Sequence, residues 1–339
     1  MFLLGACAIL LFSASCSPRH GALTRTQFLL GTVCSLTLYD TVRDDVFREA
    51  FDRVTGIERM MSLTIADSDI SRVNAAAGTH PAAVSGETLE LVRSALEFSR
   101  LSGGAFNAAV GPLAALWGIG TDHAAVPARE DIAAALLRTD YTKVSLDTAA
   151  GTIFLQEQGM ALDLGAIAKG YAADEAARVI REAGIKRGII DFGGNILLIG
   201  ARPDGKPWRV GVQSPGAPRG EFLGVLTASD AAVVSSGVYE RFFTGEDGQP
   251  YHHILDTATG FPVRNGLASV TVVTGSSRTA DALSTTLFAL GLQAGMKLAE
   301  ETEGVQALFV TDDKKVYATS GMLAIFRLTD GEYTMDTLK

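Results

Sequence analysis

Four stretches of the chain combine residue types and spacings that suit chemistry. The first is Thr279-Ala280-Asp281-Ala282-Leu283-Ser284-Thr285, which places Asp281, Ser284 and Thr285 at i, i+3 and i+4 on one helix face. A carboxylate with two hydroxyls is an all-oxygen set and suits a hard cation such as Mg²⁺. The plainer alternative is a helix start, with Thr279 as N-cap and Asp281 favoured in the first turn by the macrodipole. The second stretch is Asp163-Leu164-Gly165-Ala166-Ile167-Ala168-Lys169-Gly170-Tyr171. It runs from a strand end through a glycine turn into a helix, with Lys169 one turn inside. Free N–H groups and carbonyls at such a junction can seat phosphate and a metal bound through backbone oxygen. Otherwise Asp163 is a simple cap and Lys169 an exposed helix lysine. No GxxxxGK[ST] loop occurs.

The third stretch is Tyr251-His252-His253-Ile254-Leu255-Asp256-Thr257-Ala258-Thr259-Gly260-Phe261-Pro262. Adjacent strand residues point to opposite faces, so at most one histidine faces any one site. That one can serve as a general base; the alternative is one packed ring and one solvated ring. Asp256 to Gly260 spells an Asx-type turn. The fourth stretch, Gly104-Ala105-Phe106-Asn107 to Gly111-Pro112 with Trp117, offers an aromatic and an amide between glycines. It forms either a planar pocket wall or a core-packed turn.

These residues need elements to hold them. Phe28–Tyr39 is rich in strand formers and ends in a turn at Asp40. Apolar residues at 47, 51, 54, 57 and 61 predict a helix over 45–61, and Glu87–Leu101 a second, stopped by Gly103-Gly104. A short helical pattern follows at 129–138, then a helix from Ala166 to Ala183 with Gly184 as its C′ glycine. Helices are also expected at Thr279–Leu290 and Leu292–Glu301. Strands are expected at 144–146, 152–155, 188–191, 196–199, 208–212, 224–226, 232–235, 252–255 and 268–273, with a closing hairpin of 307–310 and 315–319. The mixture is not regularly βαβ. It reads as α+β with mixed, largely antiparallel sheets.

The chain has 339 residues and a formal charge of −9, so a broad basic face for nucleic acid is not expected. Its three cysteines, Cys7, Cys16 and Cys34, have no zinc-finger spacing and support no disulfide framework. Residues 1–14 are an apolar run of signal-peptide length, too short to span a membrane. Cys7 and Cys16 could each end it. Cys16 is better placed, after the run and before polar Ser17-Pro18-Arg19-His20, and is expected to be the lipidated N-terminus. The alternative is a cleaved, soluble secretory protein. The expected layout is a signal over 1–16, a tether over 17–27, one domain over 28–330 and a tail over 331–339.

Together the four stretches resemble the ApbE family of FAD:protein FMN transferases. The likeness extends to Leu30-Gly31-Thr32, Gly193-Gly194-Asn195 and Ser235-Ser236-Gly237, in the family's order and spacing. The resemblance implies a two-part architecture with FAD bound between the parts. It implies Mg²⁺-dependent transfer of FMN from FAD to a threonine or serine of an exported acceptor, with AMP released. The acceptor pattern is Asp-x-[Ser/Thr]-[Gly/Ser]-Ala-Thr, and the enzyme is held by a lipid anchor on the periplasmic side of the inner membrane. It makes Asp281 and Thr285 metal-binding side chains and Ala166 a backbone metal ligand, with Ser284 weaker because some members have an acid there. Asp163, Lys169, Ala105, Phe106, Asn107, Ile254 and Leu255 match flavin-nucleotide contacts, and Asn107 replaces a commoner Asp. His253 matches the histidine before the turn and is the candidate base, with Asp281 as the other proton acceptor. Leu30 replaces a commoner Met, and Thr64 a Tyr that lies against the flavin. Losing that ring removes a stacking platform and favours turnover. Two other readings therefore accompany the transferase: an FAD pyrophosphatase giving FMN and AMP, and a non-catalytic FAD-binding lipoprotein.

Overall fold

The computed structural model describes residues 21–41 and 43–338. The signal, Cys7, Cys16 and residues 17–20 of the tether lie outside the described residues. No helix among the described residues is long and apolar enough to cross a membrane. One nine-stranded sheet organises the chain, and its spatial order follows sequence order. Its strands are β1 (Leu23–Leu29), β2 (Thr32–Leu38), β3 (Gly188–Phe192), β4 (Asn195–Ile199), β5 (Ala232–Gly237), β6 (Leu267–Thr274), β7 (Gln306–Thr311), β8 (Lys315–Ala318) and β9 (Thr334–Met335). Neighbours pair antiparallel except β8 with β9.

Three helices cover one face: α1 (Asp44–Met61), α2 (Ala168–Glu182) and α3 (Ser277–Glu301). Their apolar stripes meet the inward side chains of the strands in the largest core cluster. A three-stranded sheet of Trp208–Gln213, Phe222–Ala228 and Phe326–Leu328 packs a second cluster on the other face. A third gathers Trp117, Leu113, Ile132 and Leu255 around the helices Gly111–Trp117 and Arg129–Leu136.

The structure bears out the α+β reading and refines several elements. The 28–39 run is a hairpin: Leu30 and Gly31 both have positive φ (54° and 67°), the signature of a two-residue turn whose twist suits antiparallel strands. β1 starts at Leu23, inside the stretch read as tether, and β9 lies in the stretch read as tail. No loop interrupts α3 between 277 and 301, but Gly291 (φ 79°, ψ 175°) kinks it where the sequence placed a boundary between two helices. The strand expected at 252–255 is Pro250–His252, with Leu255 bridging only to Pro262. Cys34 is buried, its thiol faces Leu29 O, and burial pushes its pKa up to about 12, which makes it inert.

Candidate functional site

The site is built on the contact between α2 and the start of α3. Ser276 is the N-cap, accepting from Thr279 N–H, so Thr279 is not the cap its sequence position suggested. Asp174 of α2 completes the cap from another helix: it accepts the Ser276 hydroxyl at 2.8 Å, Ser277 N–H at 2.8 Å and Arg278 N–H at 3.0 Å. A carboxylate at a helix N-terminus is favoured by free amides and dipole together. One turn earlier on α2, Gly170 lets the backbones touch. A Cβ there would stand 2.2 Å from Ser277 O.

This close approach brings the first two stretches together. Asp281 is only 4% exposed, and its Oδ2 accepts Gly170 N–H at 2.9 Å. Its Oδ1 lies 3.4 Å from Lys169 Nζ, which also donates to Gly165 O at 3.1 Å. Lys169 is thus folded over the helix start and is not the freely solvated lysine of the plainer reading. Gly170 is the third residue of α2, so its N–H has no acceptor within the helix, and Asp281 supplies one. The Ala166 carbonyl lies just before the Ile167 N-cap, and no donor among the described residues reaches it. The Asp281 carboxylate and the Ala166 carbonyl are thus two oxygen donors at the start of α2.

Thr285 and Ser284 stand a turn further along α3. Ser236 Oγ lies 2.8 Å from Ser284 Oγ and 3.2 Å from Thr285 Oγ1. Ser284 is fully buried and donates to Asp281 O at 3.0 Å, so its hydroxyl serves the helix, while Thr285 remains half-buried. The described residues contain no group of three or more His, Cys, Asp or Glu that could hold a metal. The donor set instead fits a hard divalent cation that takes a few protein oxygens and leaves positions for phosphate and water. Asp281, Thr285 and Ala166 O would hold it.

Hydrogen bonds draw in the other two stretches. Asp163 N–H donates to Ala108 O at 3.0 Å, and Thr257 Oγ1 to Gly104 O at 2.7 Å. Trp117 Nε1 donates to Gly260 O at 2.7 Å inside the third cluster. Asp163 Oδ1 accepts Gly165 N–H; burial pushes its pKa up, against the pull of that N–H, Lys169 and Arg241. His252 ends the Pro250–His252 strand and His253 follows it, and the two rings part. His252 is buried, with Nε2 on Val263 O at 2.8 Å and its ring edge on Phe288. His253 is open to solvent on one side and closely surrounded by protein on the others. Desolvation, with Arg241, His252 and Lys169 nearby, holds its pKa down to about 4. Its Nδ1 is 3.2 Å from Arg241 O, and a carbonyl only accepts, so Nδ1 carries the proton and Nε2 keeps its lone pair.

The expected flavin contacts are only partly side-chain contacts. Phe106 is buried against Phe98 in the main core, so its ring is unavailable and any contact there is made by backbone. Asn107 bridges Thr139 O at 2.7 Å and Ala109 N–H at 2.8 Å. Ala105 is half-buried beside them; Ile254 and Leu255 are buried beyond the end of the Pro250–His252 strand, with Ile254 O accepting Val263 N–H. Leu30, in a left-handed conformation strained for a leucine, donates its N–H to Glu58 Oε1 at 2.7 Å. Thr64 follows α1 and turns its hydroxyl to Ser62 Oγ at 3.1 Å. The short helix after it, Asp69–Ala75, is tied to the lead-in of the second stretch, because Asn74 bonds both N–H and C=O of Leu162.

Sequence reasoning missed Arg241 and Glu58, and gave no role to Asp174 or to Ser236 of the Ser235-Ser236-Gly237 stretch. Each acts across 12 or more positions of chain, and no local spacing marks it.

Comparisons with known proteins agree on one family. The family model described as "ApbE family" matches residues 30–309. An FAD:protein FMN transferase of Treponema pallidum (strain Nichols) is 36% identical, the match covering 92% of this chain and 91% of the relative. One from Klebsiella pneumoniae (strain 342) is 37% identical over 90% and 94%. The crystal structure of the ApbE protein of Thermotoga maritima superposes with a TM-score of 0.84 at 30% identity, covering 91% of this chain and 100% of that one. The flavin transferase ApbE of Vibrio cholerae gives 0.80 at 29% identity over 90% of this chain and 100% of that one.

Proposed function

The chain belongs to the ApbE family, and from that premise we propose that it transfers FMN from FAD to a threonine or serine hydroxyl of an exported acceptor protein, releasing AMP with Mg²⁺ as cofactor. The observation that carries this reading is the contact of Asp281 with the start of α2. Gly170 N–H fixes the buried Asp281 carboxylate, Lys169 Nζ lies 3.4 Å from it, and the Ala166 carbonyl just before the helix has no donor among the described residues. Asp281, Thr285 and the Ala166 carbonyl would hold a divalent cation, which would supply charge stabilisation to the phosphoryl oxygens.

The chain's own residues supply the rest. Lys169 adds positive charge beside the phosphates. The backbone at Ala105–Asn107 and Ile254–Leu255, with the Leu30 turn, orients the nucleotide, and orientation carries much of the rate. The acceptor hydroxyl is a weak nucleophile and must lose its proton. His253 Nε2 is neutral and unprotonated at pH 7 and accepts that proton; Asp281 is the other acceptor. Cys16 anchors the enzyme on the periplasmic side of the inner membrane.

The test is to mix the enzyme with FAD, Mg²⁺ and a domain carrying the acceptor pattern, then weigh the domain. A gain of one FMN, lost when the target threonine is replaced, supports the transferase; bound, uncleaved FAD sinks it. Thr64 favours a second reading. A short side chain hydrogen-bonded to Ser62 provides no ring against the flavin, so water competes for bound FAD. Free FMN and AMP without a mass gain would make the protein an FAD pyrophosphatase.

A further inference from the structure

We propose that the end of the sheet opposite the flavin site is a docking face for an anionic phospholipid surface. α2 connects the two ends: Lys169 and Gly170 begin it in the site, and Arg181 lies in its last turn. Its 15 residues span about 22 Å. At the far end the strands are in step, Leu23 opposite Leu38, Leu38 opposite Gly188, and Gly188 opposite Ile199. Strands lie ~4.8 Å apart, so Leu23 is within roughly 15 Å of Ile199. The described chain therefore starts beside this end, and Cys16 precedes its first described residue by five positions.

The charge here differs from that of the whole molecule, which carries −9. Asp40, Asp44, Asp45, Asp204 and Asp230 are each paired with an arginine: Arg187, Arg25, Arg43, Arg202 and Arg181 respectively. Lys186, Lys206 and Arg209 are exposed and make no ion pair among the described residues. Two open grooves lie at this end. One is lined by Arg202, Asp204 and Arg209 with Tyr39, the other by Arg181, Lys186 and Asp230. Unpaired cations suit the headgroup layer of an anionic leaflet. Docked this way, the start of α2 stands about 22 Å from the lipid. The inference rests on neither the transferase reading nor an acyl chain.

The full chain carrying Cys7→Ser and Cys16→Ser is sedimented with phosphatidylcholine vesicles and with vesicles containing about a third phosphatidylglycerol. The neutral vesicles measure whatever the apolar N-terminal run contributes. Each cation at an anionic leaflet multiplies binding roughly fivefold, so three give about a hundredfold preference. The preference should vanish near ~0.5 M salt, where screening acts within a few ångströms. It should also vanish in K186E/K206E/R209E, while thermal melting and FAD cleavage stay at wild-type values. If the triple variant melts early, Lys186→Gln alone should cost about fivefold. Equal binding to the two vesicles, or a preference that the charge reversals leave intact, would overturn the proposal.

Discussion

Gly170→Ala adds one methyl where α2 touches the start of α3. On the present backbone that carbon lies 2.2 Å from Ser277 O, 2.6 Å from Ser277 C and 2.8 Å from Arg278 Cα. All three are backbone atoms held by the Asp174 cap, so no side-chain rotation relieves the clash. Carbon contacts relax near ~3.5 Å, and the helices must part by about 1 Å. Alanine offsets part of the cost, by up to ~1 kcal/mol of helix propensity. Overpacking costs about 1–3 kcal/mol. Stretching the Gly170 N–H to Asp281 bond forfeits part of an interaction worth about 1.5–3 kcal/mol. The costs win, for a net loss of about 2–4 kcal/mol. Activity should suffer more, because the same shift separates Lys169 and the Ala166 carbonyl from Asp281. A 1 Å misplacement costs on the order of a hundredfold in rate. The assay follows AMP release from FAD against Mg²⁺ concentration, alongside thermal melting. Gly56→Ala on α1 is the control: a Cβ there meets nothing within 4 Å, so it should raise stability by about 0.5–1 kcal/mol and leave turnover alone. A folded Gly170→Ala protein with wild-type turnover and unshifted Mg²⁺ dependence would refute the argument that this contact sets the site.

Asp281→Ala should reduce Mg²⁺-dependent AMP release to background; persistent release would mean the cation is held elsewhere. Glu58→Ala frees the strained Leu30 turn and should cost about 1.5–3 kcal/mol of stability while raising KM for FAD, with Glu58→Gln close to wild type; an unchanged KM would detach the turn from the flavin. His253 titrates near 4 when folded and near 6.5 when unfolded, so the unfolded chain binds the extra proton between these values. Stability should therefore fall as pH drops through that window, and kcat/KM should stay level from pH 8 to about 5 before declining. An inflection near neutrality that His253→Ala abolishes would contradict the desolvation of the ring. Thr64→Tyr should tighten FAD binding about two- to tenfold through stacking and slow its cleavage, read by titration and by AMP release.

What was legible in the sequence was local. The i, i+3, i+4 spacing of Asp281, Ser284 and Thr285 announced a shared face, Gly291 the break in α3, and Gly184 the end of α2. The order of the four stretches announced the family. Spacing did not reveal which of these groups would be free to react. Phe106 looked like a pocket wall, but Phe98 and the main core claim its ring. Ser284 shared Thr285's face, with the resemblance already making it the weaker ligand, and it is buried and spends its hydroxyl on the Asp281 carbonyl and Ser236. Thr279 looked like a cap, but Ser276 and Asp174 fill that role, the latter from 102 positions away. The decisive feature is a free amide in the first turn of a helix. Gly170 N–H has no acceptor within α2, and Asp281, 111 positions further on, supplies one. Such a contact depends on two helices touching at a glycine. The sequence displays the glycine and the aspartate, and only the fold shows that they meet.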